Sequence, residues 1–407
     1  MKYSIILMLF LTLPLFAQTS ISLEEAINKA KENNLKLQVD KLDYQSAQFA
    51  EKAVLALPKT NINGLFGQTN SMRFDENISI TQDIPNPGFI RAQKEEARQE
   101  AKLYAINSDI SLREIRLGLS QSWYQWLYLN ALKKTLLKED SLMIGFVKAA
   151  DAKYKSGESN LLEKTIAENR RMQLGQEIRA NDMALKQEAL KLKQLIGTKE
   201  DFIPNEDSLK LIPAPEPDSS KLKKHPVLRY LLQEAALSEA AQKTAAAEKL
   251  PEFSGGYFLQ SLAGPQEING QTRRFNSAPQ FQGISLGLSV PIFGSKAYKA
   301  KQEIYATQKL AREKEAEYLN WQLEKELEQK LEEYDFWQQH LLYFRTTALP
   351  NADLIVKNAS KSYKNGEIEY VEYLQALRTA LDTEKSYLET KNKSNQLILY
   401  INYLIEE

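Results

Sequence analysis

The chain has 407 residues, with 53 basic and 53 acidic side chains and no formal net charge. That balance gives no electrostatic reason to expect nucleic acid, because binding a polyanion requires a basic surplus. There is no cysteine, which excludes disulfides, thiolate catalysis and cysteine-ligated metals.

Residues 1–17 read as a secretory signal. Lys2 supplies the charged start, "IILMLFLTLPLF" is an apolar stretch too short to span a bilayer, and Ala17 is a small residue at the cleavage end. No later apolar run approaches the ~18–20 residues of a membrane-spanning helix. The remainder reads as two structural repeats, 18–204 and 223–407, joined by a linker at 205–222. The linker contains "NEDSLKLIPAPEPDSS", whose prolines, Asp and Ser mark a loop.

Each repeat opens on a helix. Leu35, Ala47, Ala53, Leu57 and Pro58 of the first answer to Leu228, Ala240, Ala246, Leu250 and Pro251 of the second. A strand-like pair follows in each half. "GISLGLSV" (283–290) alternates strictly, with Ile284, Leu286, Leu288 and Val290 on one face and Gly283, Ser285, Gly287 and Ser289 on the other. "NISITQDI" (77–84) carries Ile78, Ile80 and Ile84 in the same way, broken by Gln82. "TNINGLFGQ" and "EFSGGYFLQSL" are weaker, glycine-rich partners. Each is about ten residues, the length of a strand crossing a bilayer at a tilt.

These four strands have no other sheet to pack on. Four cannot close a membrane barrel, whose smallest forms have about eight, and open edges do not exist in lipid. If the strands are in a membrane, several chains close one barrel together. The long polar segment "AGPQEINGQTRRFNSAPQ" between the second pair suits an outward-facing loop.

After the second strand of each pair comes a proline, then a glycine three residues later: Pro85 and Gly88, Pro291 and Gly294. Long charged helices follow. The run from Phe89 to Tyr154 has no proline and at ~1.5 Å per residue gives about 100 Å of helix. Its counterpart runs from Ser295 to Tyr363, with Pro350 as the one interruption. Leu103, Ile106, Ile110, Leu117, Tyr124 and Leu127 form a seam for coiled packing, interrupted by Arg113 and Ser120.

Both long helices end in one motif. "AKYKSGESNLLEKTIAENR" (152–170) returns as "KSYKNGEIEYVEYLQALRT", so that Tyr154, Lys155, Gly157, Glu158 and Glu163 recur as Tyr363, Lys364, Gly366, Glu367 and Glu372. Glycine suits a tight interhelical reversal that needs φ > 0. Return helices follow at 159–196 and 367–405. His225 and His340 lie far apart in sequence and read as structural. No Gly-rich phosphate loop or metal-ligand cluster appears, and Glu367 and Glu369 fall on different helix faces, a poor geometry for an acid/base pair. An enzyme is not expected, nor is a cofactor.

Taken together, the doubled hairpins, the Pro-x-x-Gly turns and the glycine reversals resemble the TolC family of outer-membrane efflux proteins over essentially all the mature chain. "QDIPNPGF" (82–89) is most similar to the branch serving heavy-metal efflux pumps. The resemblance implies a mainly α fold with a small β part: long antiparallel helical hairpins forming an α-barrel, and four transmembrane strands per chain. As a homotrimer it would close a twelve-stranded barrel in the outer membrane of a Gram-negative bacterium and extend into the periplasm. It implies a passive exit duct contacting outer-membrane lipid. Its partners would be a periplasmic adaptor and an inner-membrane transporter of the resistance-nodulation-division type. Gly157, Glu158, Gly366 and Glu367 would be the adaptor-contacting tips.

The resemblance also implies an entrance. Glu372 matches the first residue of an acidic ring that favours cations, and Gln375 stands where a second acid would be. Glu163 holds the corresponding acidic position of the first tip, and Tyr363 a tyrosine linking neighbouring hairpins. Ile368 replaces a basic residue of the family's gate latch. Read without the resemblance, Glu372 is an exposed helix carboxylate. Other readings left open are a duct for type I protein secretion, a periplasmic adaptor and a coiled-coil structural protein. An adaptor carries its helical hairpin once, beside a compact β-domain.

Overall fold

The computed structural model describes residues 19–405 except 70, 214–217, 277 and 280. The expected signal at 1–17 lies outside the described residues. In chain order the elements are β1 (Thr19–Ile21), α1 (Leu23–Asn33), α2 (Leu35–Ala53), β2 (Asn61–Gly67) and β3 (Asp75–Ile84), then α3 (Pro87–Ser156), α4 (Leu161–Ile196) and β4 (Phe202–Pro204). A 3₁₀ turn at Ser219–Lys224 leads to α5 (Pro226–Ala247), β5 (Glu252–Gln260), β6 (Gly264–Ile268), β7 (Gln271–Phe275) and β8 (Phe281–Ser289). The chain ends in α6 (Ser295–Tyr343), a π-helical turn (Phe344–Ala348), α7 (Leu349–Lys364) and α8 (Tyr370–Ile405).

The expected helices and four strands are present within a few residues of their sequence boundaries. Helix α3 is 70 residues long. Pro350 does not break its counterpart, because the π turn widens the helix just before it, where Leu349 N–H reaches back to the Phe344 carbonyl. Proline has no N–H to give, and its ring crowds the preceding turn. Two strand pairs were not expected. β1 pairs in parallel with β4, and β6 with β7 form a hairpin inside the segment read as a polar loop.

Contacts divide the chain into two compact units. One comprises the chain up to Gln38, Leu112–Ser219 and Lys325 to Glu406. Its first core gathers Leu119, Trp123, Leu192 and Ile196 with Ile21, Ala26, Ala30 and Leu209. Leu119 and Trp123 are four apart on α3 and therefore share a helix face. The described part of the 205–222 segment that belongs here is held fast: Ile212 N–H donates to Asn395 (2.9 Å), whose amide donates to the Lys210 carbonyl (2.7 Å). The Trp123 indole donates to Glu206 at 3.0 Å.

The other unit comprises Val39–Ser111 and Ser220–Glu324. It holds an antiparallel four-stranded sheet in the order β2-β3-β5-β8. Because side chains alternate along a strand, the register sorts them by face. Ile62, Ile80, Tyr257 and Ile284 stand side by side across all four strands, and Ile84, Phe253 and Leu288 form a second row. The opposite face carries Asn61, Thr81, Gly256 and Ser285, then Asp83, Ser254 and Gly287. The apolar rows are exposed. Among the described residues, strands β2 and β8 each have one edge without a pairing strand. No described helix is long and apolar enough to cross a membrane.

Candidate functional site at the helix reversals and strand-to-helix turns

The two reversals are built alike. Gly157 and Gly366 have φ of +77° and +72°. Glu158 N–H donates to the Lys153 carbonyl (2.9 Å), and Gly157 N–H to that of Tyr154 (3.2 Å). Glu367 N–H likewise reaches Ser362 (2.8 Å), and Gly366 N–H reaches Tyr363 (3.1 Å). This six-to-one closure with a left-handed residue satisfies the last carbonyls of α3 and α7. A Cβ at either glycine would meet nothing within 4 Å, so the requirement is for backbone conformation and not for space.

The acidic residues after the reversals tie down the next helices. Asn160 caps α4 by accepting from Glu163 N–H at 3.0 Å, and Ser159 Oγ donates to the Glu163 carboxylate. At the other reversal Glu369 N–H donates to the Glu372 carboxylate at 3.1 Å. Glu163 and Glu372 therefore hold the same position in the two repeats, and both carboxylates accept a bond at a helix start. Glu367 is held below the usual carboxylate range by the side-chain hydrogen bonds of Asn365 and Ser362. Glu158, Glu367, Glu372 and Gln375 are exposed.

Tyr363 is half-buried and stacks on Tyr373 with ring centroids 4.8 Å apart. Tyr370, beside it, meets Phe146 edge-on at 4.8 Å. These rings belong to a core that joins both hairpins, with Leu136, Met143, Ala150, Ala167, Leu174 and Leu377. Burial raises the Tyr370 phenol well above its ordinary value, and neighbouring Tyr363 adds to the shift. Gln375 lines a groove of about 270 Å³ with Ile166, Val371 and Leu374, bounded by Glu139 and Arg170.

Sequence reasoning missed Glu139. Its side chain is 5% exposed and meets Arg170 of α4 at 2.7 Å and Lys385 of α8 at 2.6 Å. Glu177 lies 3.0 Å from Arg170 and 3.7 Å from Lys385. Burial works to raise the Glu139 carboxyl, but hydrogen bonds from Lys385 and Arg170 outweigh it and leave the group below its ordinary value. In a chain with so many charged residues, no local signal separates these three from solvated helix charges.

The strand-to-helix turns differ between repeats. After β3, the Asn86 side chain accepts from Gly88 N–H (2.8 Å) and donates to the Pro251 carbonyl (3.1 Å). A Cβ on Gly88 would lie 2.9 Å from Leu250 Cδ1, and half-buried Pro85 precedes the cap. After β8, Gly294 has φ +98° and its carbonyl accepts from Ala297 N–H at 2.9 Å. Pro291 in that turn is exposed.

His225 is buried before α5, and His340 packs on Phe336 with ring centroids 4.4 Å apart. Among the described residues no group of three or more His, Asp or Glu side chains could hold a metal ion.

No protein-family model matches the sequence, and no curated protein matches it. Solved structures do share its fold. CusC, studied for conformational changes accompanying folding and transmembrane channel formation, superposes with a TM-score of 0.76 and 17% identity, over 95% of this chain and 92% of that one. The Campylobacter jejuni CmeC outer membrane channel gives 0.77 and 13%, over 94% and 85%. The open state of the Neisseria gonorrhoeae MtrE outer membrane channel gives 0.71 and 16%, over 94% and 88%.

Proposed function

We propose that this chain, which has the fold of the TolC-like outer-membrane channels, is the exit duct of a tripartite efflux pump. The observation that carries the reading is the four-stranded sheet: one face mainly apolar and exposed, the other mainly polar, and on each side an edge without a pairing strand among the described residues. A single such sheet in lipid would leave backbone groups unsatisfied. Three copies joined edge to edge give a closed twelve-stranded barrel with lipid outside and a polar lumen. The duct lies in the outer membrane and extends into the periplasm.

The duplicated reversals are the periplasmic tips, where Gly157, Glu158, Gly366 and Glu367 meet an adaptor. An inner-membrane transporter of the resistance-nodulation-division type supplies the energy, and the duct itself is passive. Glu372 sets the charge of the entrance, with Gln375, Glu163 and Tyr363 around it. The exported material is a heavy-metal cation or a small toxic compound, on the strength of "QDIPNPGF" at 82–89.

Conductance in a planar bilayer, read beside the mass of the detergent-extracted protein, tests this. The expected result is a trimer with a stable, cation-preferring pore. A detergent-independent monomer overturns the duct. Because the Glu372 carboxylate also caps α8, Glu372→Gln and Glu372→Ala must be compared. Glutamine keeps an acceptor and loses the charge. Cation preference that falls equally in both variants supports the entrance role, whereas loss in Ala alone assigns the effect to the helix cap.

A further inference from the structure

The two strand-to-helix turns hold equivalent places in the repeats, yet only one is tied down. Asn86 spends its amide on Gly88 N–H and the Pro251 carbonyl. At the matching position the second repeat has Ile292, followed by Phe293 where the first has Pro87. Ile292 is 81% exposed and Phe293 90% exposed. Large apolar side chains standing this far into solvent, next to each other, imply an apolar neighbour.

That neighbour follows from what precedes the turn. Ile284, Leu286 and Leu288 are exposed on one face of β8, and Val290 and Ile292 continue the same two-residue alternation beyond the strand's end at Ser289. The apolar alternation of the sequence therefore continues into the turn, where Val290, Ile292 and Phe293 are all exposed. Exposed Lys296 and Lys299 follow within two helical turns, Lys299 lying 3.8 Å from Glu303. An apolar stripe ending in an aromatic residue and then lysines matches the boundary of a bilayer, where rings sit at headgroup level and lysines reach the phosphates.

We propose that Ile292 and Phe293 insert into the periplasmic-leaflet interface of the outer membrane, with Lys296 and Lys299 on its phosphates, whereas the Asn86 turn stays out of the lipid. The proposal rests on the outer-membrane reading above and gives it an asymmetry: only one turn of each chain is an anchor. Asn86 closes the first turn on the protein itself, while glycine at 294 lets the second reverse at φ +98° with its two apolar side chains outside.

The absence of cysteine makes single labelling clean. Full-length Phe293→Cys, Ile292→Cys, Pro87→Cys and Leu286→Cys variants are spin-labelled and reconstituted in vesicles of phosphatidylethanolamine and phosphatidylglycerol. Collision with oxygen reports lipid, and collision with a water-soluble nickel chelate reports solvent. Labels at 286, 292 and 293 are expected to favour oxygen several-fold over the label at 87, with 293 the shallower of the first and last sites.

Nickel access at 292 and 293 with oxygen access at 286 overturns the anchor and leaves the duct intact. Shielding of 292 and 293 from both probes also overturns it, because the turn is then packed on another copy. Equal oxygen access at 87 and 293 removes the asymmetry. Nickel access at 286 overturns the membrane reading and the anchor together.

Discussion

Gly157 and Gly366 have open surroundings and left-handed backbones, so their replacement by alanine isolates conformational strain from crowding. Each change should cost about 1–2 kcal/mol. Local fraying should follow, read as faster hydrogen exchange at the amides of Glu158 or Glu367, whose bonds close the reversals. Unchanged exchange would mean the closures do not depend on glycine. These positions were legible because the chain writes the same Tyr-Lys-x-Gly-Glu twice. The capping bond of Glu372 was not, since a Glu near a helix start looks the same whether or not its carboxylate folds back. Trp123 was hidden differently. The apolar seam drawn through Leu117, Tyr124 and Leu127 meets its core at Leu127, one turn away, and the packing of Ile21, Leu192 and Leu209 shows Trp123 to be among the most buried residues there.

Among the elements, α3, α4 and α8 meet at Glu139, and what holds them there depends on charge. Glu139→Gln leaves Arg170 and Lys385 beside a neutral group, with Glu177 and the more exposed Asp382 as the remaining acids. Removing one partner of a buried ion pair costs on the order of 3–5 kcal/mol. A lower thermal midpoint for the hairpin unit should result, and an unchanged midpoint would show that the apolar core alone holds the hairpins. Because the folded carboxyl lies below its ordinary value, its contribution is complete above the ordinary glutamate range and is lost as pH falls through the depressed value. Wild type should therefore lose stability on acidification more steeply than the Gln variant. Glu239 offers a contrast in the other unit. Side-chain bonds from Lys243 and Lys309 bring it down to about 2, but such exposed pairs contribute little.

β8 and β3 were legible from their two-residue period, β2 and β5 only as weaker, glycine-rich partners beside them, and the helix lengths from the absence of proline. Pro350 was correctly seen as a disturbance, but the π turn that absorbs it has no sequence signature of its own. The β6–β7 hairpin was missed because polar strands such as "QTRRF" carry no apolar alternation. β1 and β4 have three residues each and exist only through pairing across a long stretch of chain.

In the trimeric duct proposed above, the two faces of the sheet should respond oppositely to charge. Leu286→Lys places an ammonium on the apolar face, where the cost near a bilayer midplane is about 2–4 kcal/mol. Ser285→Lys adds the same charge to the polar face. Recovery of trimer from the outer-membrane fraction should fall for Leu286→Lys and not for Ser285→Lys. Equal losses would remove the distinction between lipid and lumen faces.

The outer edges of the sheet belong to different strands, β2 from the first repeat and β8 from the second. Joining one copy's β8 to another's β2 is a head-to-tail contact, and such a contact does not terminate itself. It closes into a ring, or it propagates as an open filament. The number of copies is then set by the twist and curvature that the sheet carries into each junction, not by the strength of the junction. A substitution that flattens the strands while leaving both edges intact should therefore give larger rings or fibrils before it gives monomers.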